Sequence, residues 1–180
     1  MLISKFGTIK EEVISEYEDI QGISLPVSYR KFIEKYNGGE TPHTSFNIDG
    51  VNSDIKGFYG IGEHKYSLSS VDIINDGGVC YLPIALDSFG NEIVIDLNAG
   101  SIFFKDHENG SLKKIAIDFN SFIEKCESKR INKGAIKSVE EREKELIARG
   151  RGNIITDALR DMWRVEINKY GALSQEEVIL

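Results

Sequence analysis

The order of elements along this sequence predicts an α+β fold, and three observations carry the prediction. Two amphipathic helical segments open the chain, short β-prone runs rich in glycine follow from His43 to about Gly100, and helical periodicity returns after Asp118. Helices and strands segregated in this way build a sheet covered by helices rather than an alternating β-α-β domain. A main domain over residues 1–130 and a C-terminal helical extension over 131–180 are expected.

Thr8-Ile9-Lys10-Glu11 has the T-x-x-E pattern of a capping box. It predicts a first helix from about Ile9 to Ile20, with Ile9, Val13, Ile14, Tyr17 and Ile20 as its apolar face. A second helix is written into Leu25–Gly39. Pro26 suits the first turn, where its fixed φ helps and its missing N–H would have no partner. Tyr29, Phe32, Ile33 and Tyr36 recur at the helical period, and Asn37-Gly38-Gly39 supplies residues that tolerate left-handed φ at a C-cap.

The β-prone runs are Thr44–Ile48, Ile55–Ile61, Val79–Leu86 and Glu92–Leu97, while Leu68–Ile74 fits either a helical turn or a strand. Ile93–Leu97 and Ser101–Lys105, joined through Asn98-Ala99-Gly100, read as an antiparallel hairpin. Ile115-Ala116-Ile117 leads into Asp118, a good N-cap for a helix carrying Phe119, Phe122, Ile123 and Cys126. This helix is expected to cover one sheet face.

Ser128–Lys137 is polar and basic and reads as a linker. Ser138-Val139-Glu140-Glu141 opens a charged helix to about Ala148, stopped by Gly150-Arg151-Gly152. A last helix fits Thr156 to about Tyr170, with Ile155, Leu159, Met162, Trp163, Ile167 and Tyr170 apolar.

At 180 residues, with 41% hydrophobic and 28% charged, the chain can bury a real core as one domain plus an appendage. No window approaches the roughly 18 consecutive apolar residues of a membrane span. The start lacks the apolar region of a secretory signal, so a cytoplasmic protein that does not engage membranes is expected. Cys80 and Cys126 stand far apart without metal-ligand spacing and read as buried core thiols. The net charge of −7 is unevenly spread: residues 1–126 carry 19 Asp/Glu against 11 Lys/Arg, and 127–180 carry 10 against 11. That acidity argues against nucleic acid, which needs a cationic footprint; by itself it serves solubility, and it also suits a basic protein partner.

No G-x-S-x-G elbow, phosphate-binding loop, H-E-x-x-H or calcium loop is present. His43, His64 and His107 lie singly in loop-like contexts and are expected to be solvated. Gly60-x-Gly62 lacks the third glycine of a dinucleotide loop. Asp87–Glu92 reads as a polar turn; its carboxylates, with Asp96 nearby, suit turn stabilisation better than general acid/base work. No catalytic residue, metal site or cofactor is expected.

Taken together, several of these segments resemble one family. They are Leu25-Pro26-x-Ser28-Tyr29-x-x-Phe32-Ile33 with Asn37-Gly38-Gly39, then Phe58-Tyr59-Gly60, then Leu82-Pro83-Ile84-Ala85-x-Asp87-x-x-Gly90-Asn91-x-Ile93-x-Ile95-Asp96. Ile102-Phe103-Phe104-x-Asp106-His107-Glu108 and Ala116-x-x-Phe119-x-x-Phe122-Ile123 complete the set. In order and spacing they resemble the SMI1/KNR4 (SUKH) superfamily over roughly Thr8 to Cys126. The resemblance implies helices packed on a mainly antiparallel sheet. It also implies a binding role, since bacterial members are typically immunity proteins that neutralise polymorphic toxins, often nucleases, whereas fungal relatives act as scaffolds in cell-wall regulation.

The expectation drawn from this resemblance is a cytoplasmic immunity protein, a monomer or weak homodimer, that occludes a cognate and basic nuclease-type toxin without catalysis. Loop residues with suitable contact chemistry are Asp49, Asp54, Tyr59, Glu63, Asp76, Asp87 and Glu92. The alternative is a non-enzymatic regulatory or scaffold module that binds an endogenous protein. Met162 and Trp163 of the helical extension are then the residues of interest, although the core spacing of their stripe favours packing.

Overall fold

A computed structural model describes residues 1–180, which form two units: Met1–Lys129 together with Gln175–Leu180, and Arg130–Ser174. The first unit is an α+β domain. Its strands are β1 (Leu2–Lys5), β2 (Gly39–Ile48), β3 (Val51–Phe58), β4 (Ile74–Asp76), β5 (Val79–Leu86), β6 (Glu92–Asp96), β7 (Ile102–Lys105), β8 (Leu112–Ala116), β9 (Cys126–Ser128) and β10 (Glu176–Glu177). Its helices are α1 (Glu11–Gln21), α2 (Val27–Tyr36) and α3 (Phe119–Glu124). All named strand pairs are antiparallel, in the order β10-β1-β2-β3-β5-β6-β7-β8, with β4 on β5 and β9 on β2.

The first helix begins at Glu11, two residues later than the Thr8 pattern predicts. The Ile9 amide donates to the Glu34 carbonyl at 3.1 Å and the Gly7 amide to that of Tyr36 at 3.4 Å. Residues 7–9 are thereby held along the end of α2. Lys10 occupies the N-cap without a side-chain bond, and Glu11 faces Arg30 instead of the helix start. Arg30 ties the two helices together through Glu11 (3.2 Å), Glu18 (3.2 Å) and Ser15 (2.9 Å).

The second helix follows its sequence signals closely. Pro26 sits at the N-cap with φ −55°, and Asn37 ends the helix in the left-handed region at φ 49°. Tyr29, Phe32, Ile33 and Tyr36 are all at most 1% exposed. Phe32 packs 5.2 Å from Phe58 and 5.0 Å from Phe119 between ring centroids, which makes α2, α3 and the sheet one core. Asp118 caps α3 by accepting from the Ser121 amide at 2.8 Å.

Several strand boundaries differ from the expectation. β2 starts at Gly39 and shifts register between Glu40 and Thr44, where His43 adopts φ 57°. β3 runs Val51–Phe58, because Asp49-Gly50, both at positive φ, closes a tight hairpin with Ile48 opposite Val51. Leu68–Ile74 divides into a 3-10 turn at Leu68–Ser70 and the start of β4. The β6–β7 hairpin forms as read, with Ile95 opposite Ile102.

The second unit contains α4 (Val139–Ala148) and α5 (Asp157–Ala172). The predicted capping box is present: Ser138 Oγ accepts from the Glu141 amide at 3.2 Å and Glu141 Oε2 from the Ser138 amide at 2.7 Å. Arg142 pairs with both carboxylate oxygens of Glu166 at 3.0 and 3.2 Å, joining the helices. Leu159, Trp163, Ile167 and Tyr170 form the half-buried stripe. Met162 departs from the expected apolar face and is 66% exposed, being one position off that stripe. The expected extension over 131–180 also ends earlier: Gln175–Leu180 return to the first unit, where β10 pairs with β1 and the Tyr36 hydroxyl accepts from the Ile179 amide at 2.9 Å.

Candidate functional site

Because the strands alternate in direction, the β2–β3, β5–β6 and β7–β8 turns lie at one end of the sheet, and the β4–β5 and β6–β7 turns at the other. Three aspartates close hairpins by the same device. Asp87, Asp96 and Asp106 each end a strand region and accept the amide two residues on, from Phe89, Asn98 and Glu108, at 2.8 to 2.9 Å.

At the first of these ends the turns are wired to one another. Asp87 is 1% exposed. Its Oδ1 accepts from the amides of Phe89 and Asn91, each at 2.8 Å, and its Oδ2 from Ser53 Oγ at 2.6 Å and Asn91 Nδ2 at 2.7 Å. Burial alone would raise the Asp87 carboxyl, but these bonds from Ser53, Asn91 and Phe89 outweigh it and hold it below the ordinary value of 3.8. Asp54 accepts from the Ser88 amide at 2.8 Å and from the Ser88 hydroxyl. Asn91 Oδ1 in turn accepts from the His107 amide at 3.0 Å and from its Nδ1–H at 2.9 Å, and Lys113 Nζ donates to the Asp49 carbonyl at 2.6 Å.

The seven residues singled out in the sequence do not form one cluster. Asp49, Asp54, Asp87 and Glu92 share this end of the sheet, Tyr59 and Glu63 lie on the loop after β3, and exposed Asp76 lies at the opposite end. Within the first group, Glu92 is half-buried and paired with Lys105 at 2.9 Å, and Asp87 is inside the turn rather than on its surface. Tyr59 is 7% exposed, and burial, then the nearby Glu92 charge, pushes its phenol up to about 12. Asp87 and Tyr59 therefore build the scaffold, Asp54 and Glu92 are half-buried and engaged by Ser88 and Lys105, and Asp49, Glu63 and Asp76 are exposed.

The histidines are not simply solvated. His64 stacks on Phe6 at 4.6 Å and 11°, and its Nε2 lies 3.0 Å from Asn37 Nδ2. Asn37 also fixes the loop after β3 by accepting from the Ile61 amide at 2.8 Å and donating to the Ile61 carbonyl at 3.0 Å. Cys80 is partly exposed rather than buried, with Sγ 3.0 Å from Asn75 Oδ1. No three His, Cys, Asp or Glu side chains converge where they could hold a metal ion, and no helix is long and apolar enough to cross a membrane.

Sequence spacing does not single out Phe89. It stands at the tip of the β5–β6 turn and is 71% exposed. The available signal was an aromatic inside an otherwise polar turn, Asp87-Ser88-Phe89-Gly90-Asn91, with no apolar periodicity to give it a core position.

The profile of the SMI1 / KNR4 family (SUKH-1) matches residues 8–125, a span that contains α1 to α3 and all three wired turns. The chain belongs to the SMI1 / KNR4 family (SUKH-1). A relative within reach of direct comparison is the SPbeta prophage-derived uncharacterized protein YokK of Bacillus subtilis (strain 168). The two are 31% identical over 137 residues, covering 62% of this chain and 71% of YokK. The SUKH-1 match stops before Arg130, so the unit that holds α4 and α5 lies outside it. In this SUKH-1 domain the Asp87, Gly90 and Asn91 motif positions are turn builders: Gly90 adopts φ 91° against the His107 ring, and Asp87 and Asn91 supply the hydrogen bonds.

Proposed function

We propose that this SUKH-1 protein is a cytoplasmic immunity protein, which binds a cognate toxin domain of basic, nuclease type and neutralises it by occlusion without catalysis. The observation that carries this reading is the segregation of charge between the two units. Met1–Lys129 with Gln175–Leu180 hold 22 Asp/Glu against 12 Lys/Arg, whereas Arg130–Ser174 hold 7 against 10. An acidic unit of this size attracts a cationic groove over about a Debye length, ~8 Å at physiological salt, and raises the rate of encounter. Family membership and similarity to a prophage-derived protein support the same reading.

The test is co-expression in bacteria with the product of the neighbouring reading frame, which the immunity reading predicts to be a toxin domain. Growth restored by the full-length protein, and by no unrelated SUKH-1 protein, supports immunity. Arrested growth despite soluble expression of both proteins contradicts it.

One observation favours the second reading, a scaffold that docks an endogenous protein through the helical unit. Met162 and Val165, three residues apart on α5, are 66% and 68% exposed. On the immunity reading, Met162→Asp with Val165→Asp leaves protection intact. Loss of protection with retained helicity would instead give this surface a binding role.

A further inference from the structure

We propose that Phe89 is the aromatic anchor of the toxin interface, inserting its ring into an apolar socket on the partner's cationic face; this inference rests on the immunity reading above. Three features of the β5–β6 turn point to it. The ring is 71% exposed at the tip of a turn, where it packs into no core of its own chain. A single exposed apolar side chain is ordinary on a protein surface, as Ile20, Val27 and Ile117 also show here, so the exposure of Phe89 gains its meaning from the turn that holds it.

The turn that carries it is also braced far beyond what a hairpin connection needs. Asp87 accepts four hydrogen bonds within the turn and from Ser53, Asp54 holds both the amide and the hydroxyl of Ser88, and Asn91 Oδ1 takes two from His107. Every residue from 87 to 91 except Gly90 is thus engaged by a polar side chain of its own or a neighbouring strand. Phe89 is the position at which that network presents an apolar group outward. A preorganised tip with an aromatic side chain of two rotatable bonds loses little entropy on binding, which is how hot-spot residues gain affinity.

Charge complementarity identifies the occupant. Asp49 on the β2–β3 turn, Asp54 on β3 beside Ser88, and Asp106 and Glu108 on the β7–β8 turn share this end of the sheet with Phe89, where Glu92 offsets Lys105 while Lys113 and Lys114 on β8 keep their charge. Lys56 is also exposed nearby on β3. The tip therefore projects from the acidic unit into a setting suited to an apolar socket rimmed by Arg or Lys. A basic toxin domain meets that description; an acidic partner does not.

The experiment uses the full-length protein and the product of the neighbouring reading frame, which the immunity reading predicts to be a toxin domain, inactivated so that it can be purified, with affinity read by titration calorimetry. Wild type is expected to bind at one to one. Phe89→Ala is expected to weaken binding by about 30-fold or more, the effect of a hot-spot residue. Phe89→Tyr should recover most of the loss, and Ile20→Ser, on the exposed face of α1, should stay near wild type. Thermal midpoints equal to wild type establish that Phe89→Ala is folded. Equal affinity of Phe89→Ala and wild type overturns the anchor and leaves immunity standing. Failure of the wild-type chain to bind overturns the immunity reading and the anchor with it.

Discussion

Ser53 on β3 donates its hydroxyl to Asp87 Oδ2 at 2.6 Å, and this bond joins two stretches of chain separated by 34 residues. It converts the acid of a polar turn into a buried acceptor shared by Ser53, Phe89 and Asn91. Charged acceptors with several donors contribute more than neutral ones, and their removal strands every donor. Asp87→Ala is therefore expected to destabilise by about 3 kcal/mol, read as a lower urea midpoint at unchanged m. An unchanged midpoint would show that the turn is held by other means.

The same carboxylate sets a pH dependence. Folded Asp87 titrates below its ordinary value of 3.8, so its contribution is complete above that value and is lost as pH falls through the lower, folded one. Asp87→Asn has no such contribution to lose. The stability gap between wild type and Asp87→Asn should accordingly narrow between about pH 5 and about pH 2. A gap that is constant or widens on acidification contradicts this assignment.

Tyr29 is fully buried among Phe32 and Phe119, yet its hydroxyl has no hydrogen-bond partner. Burial, with smaller effects of Tyr17 and Tyr59, pushes its phenol well above 10. A stranded hydroxyl costs more than it contributes. Tyr29→Phe should keep the packing and raise stability by about 1 kcal/mol, seen as a higher melting midpoint. A clear loss of stability would mean that the hydroxyl is satisfied in solution.

Gly60 separates two reasons for needing glycine. A Cβ at Gly60 would fall 2.1 Å from the Asn37 carbonyl oxygen, whereas one at Gly77 (φ 56°) meets nothing within 4 Å. Gly60→Ala should cost more than about 3 kcal/mol or abolish folding, because the end of α2 cannot move away. Gly77→Ala carries only left-handed strain, about 1 kcal/mol. Comparable midpoints for the two variants would refute the crowding argument.

Cys80 and Cys126 differ in environment. Cys126 is 5% exposed with its thiol bonded to the Phe122 carbonyl at 3.2 Å, and burial pushes it up to about 12. Cys80 is partly exposed. One equivalent of thiol reagent should react quickly with the native protein, at Cys80, and a second only in denaturant. Rapid labelling of Cys126 in native buffer would indicate frequent opening of the α3–β9 junction.

What could be read in the sequence tracks the range of the interactions. The Ser138–Glu141 capping box and the Asn37 stop are local, and both formed as read. The identical-looking Thr8–Glu11 pattern did not, because Glu34 takes the Ile9 amide and Arg30 takes Glu11. β1, β9 and β10 are too short to show alternation, and their partners lie far along the chain, as in the bond from the Leu2 amide to Ser128 Oγ. Asp87 looked like a surface acid until Ser53 turned it inward. Phe89 looked like an ordinary member of a polar turn, since exposure of a ring depends on the neighbouring strands rather than on spacing.

Neutralisation by occlusion makes a stoichiometric demand, and titrating the active toxin domain with the full-length protein measures it directly. Inhibition should be complete at one equivalent and weaken as salt rises, and toxin separated from the complex under denaturing conditions and refolded should be fully active. Protection by a small fraction of an equivalent, with covalently altered toxin, or no inhibition at any ratio, would contradict a protein that acts by binding alone.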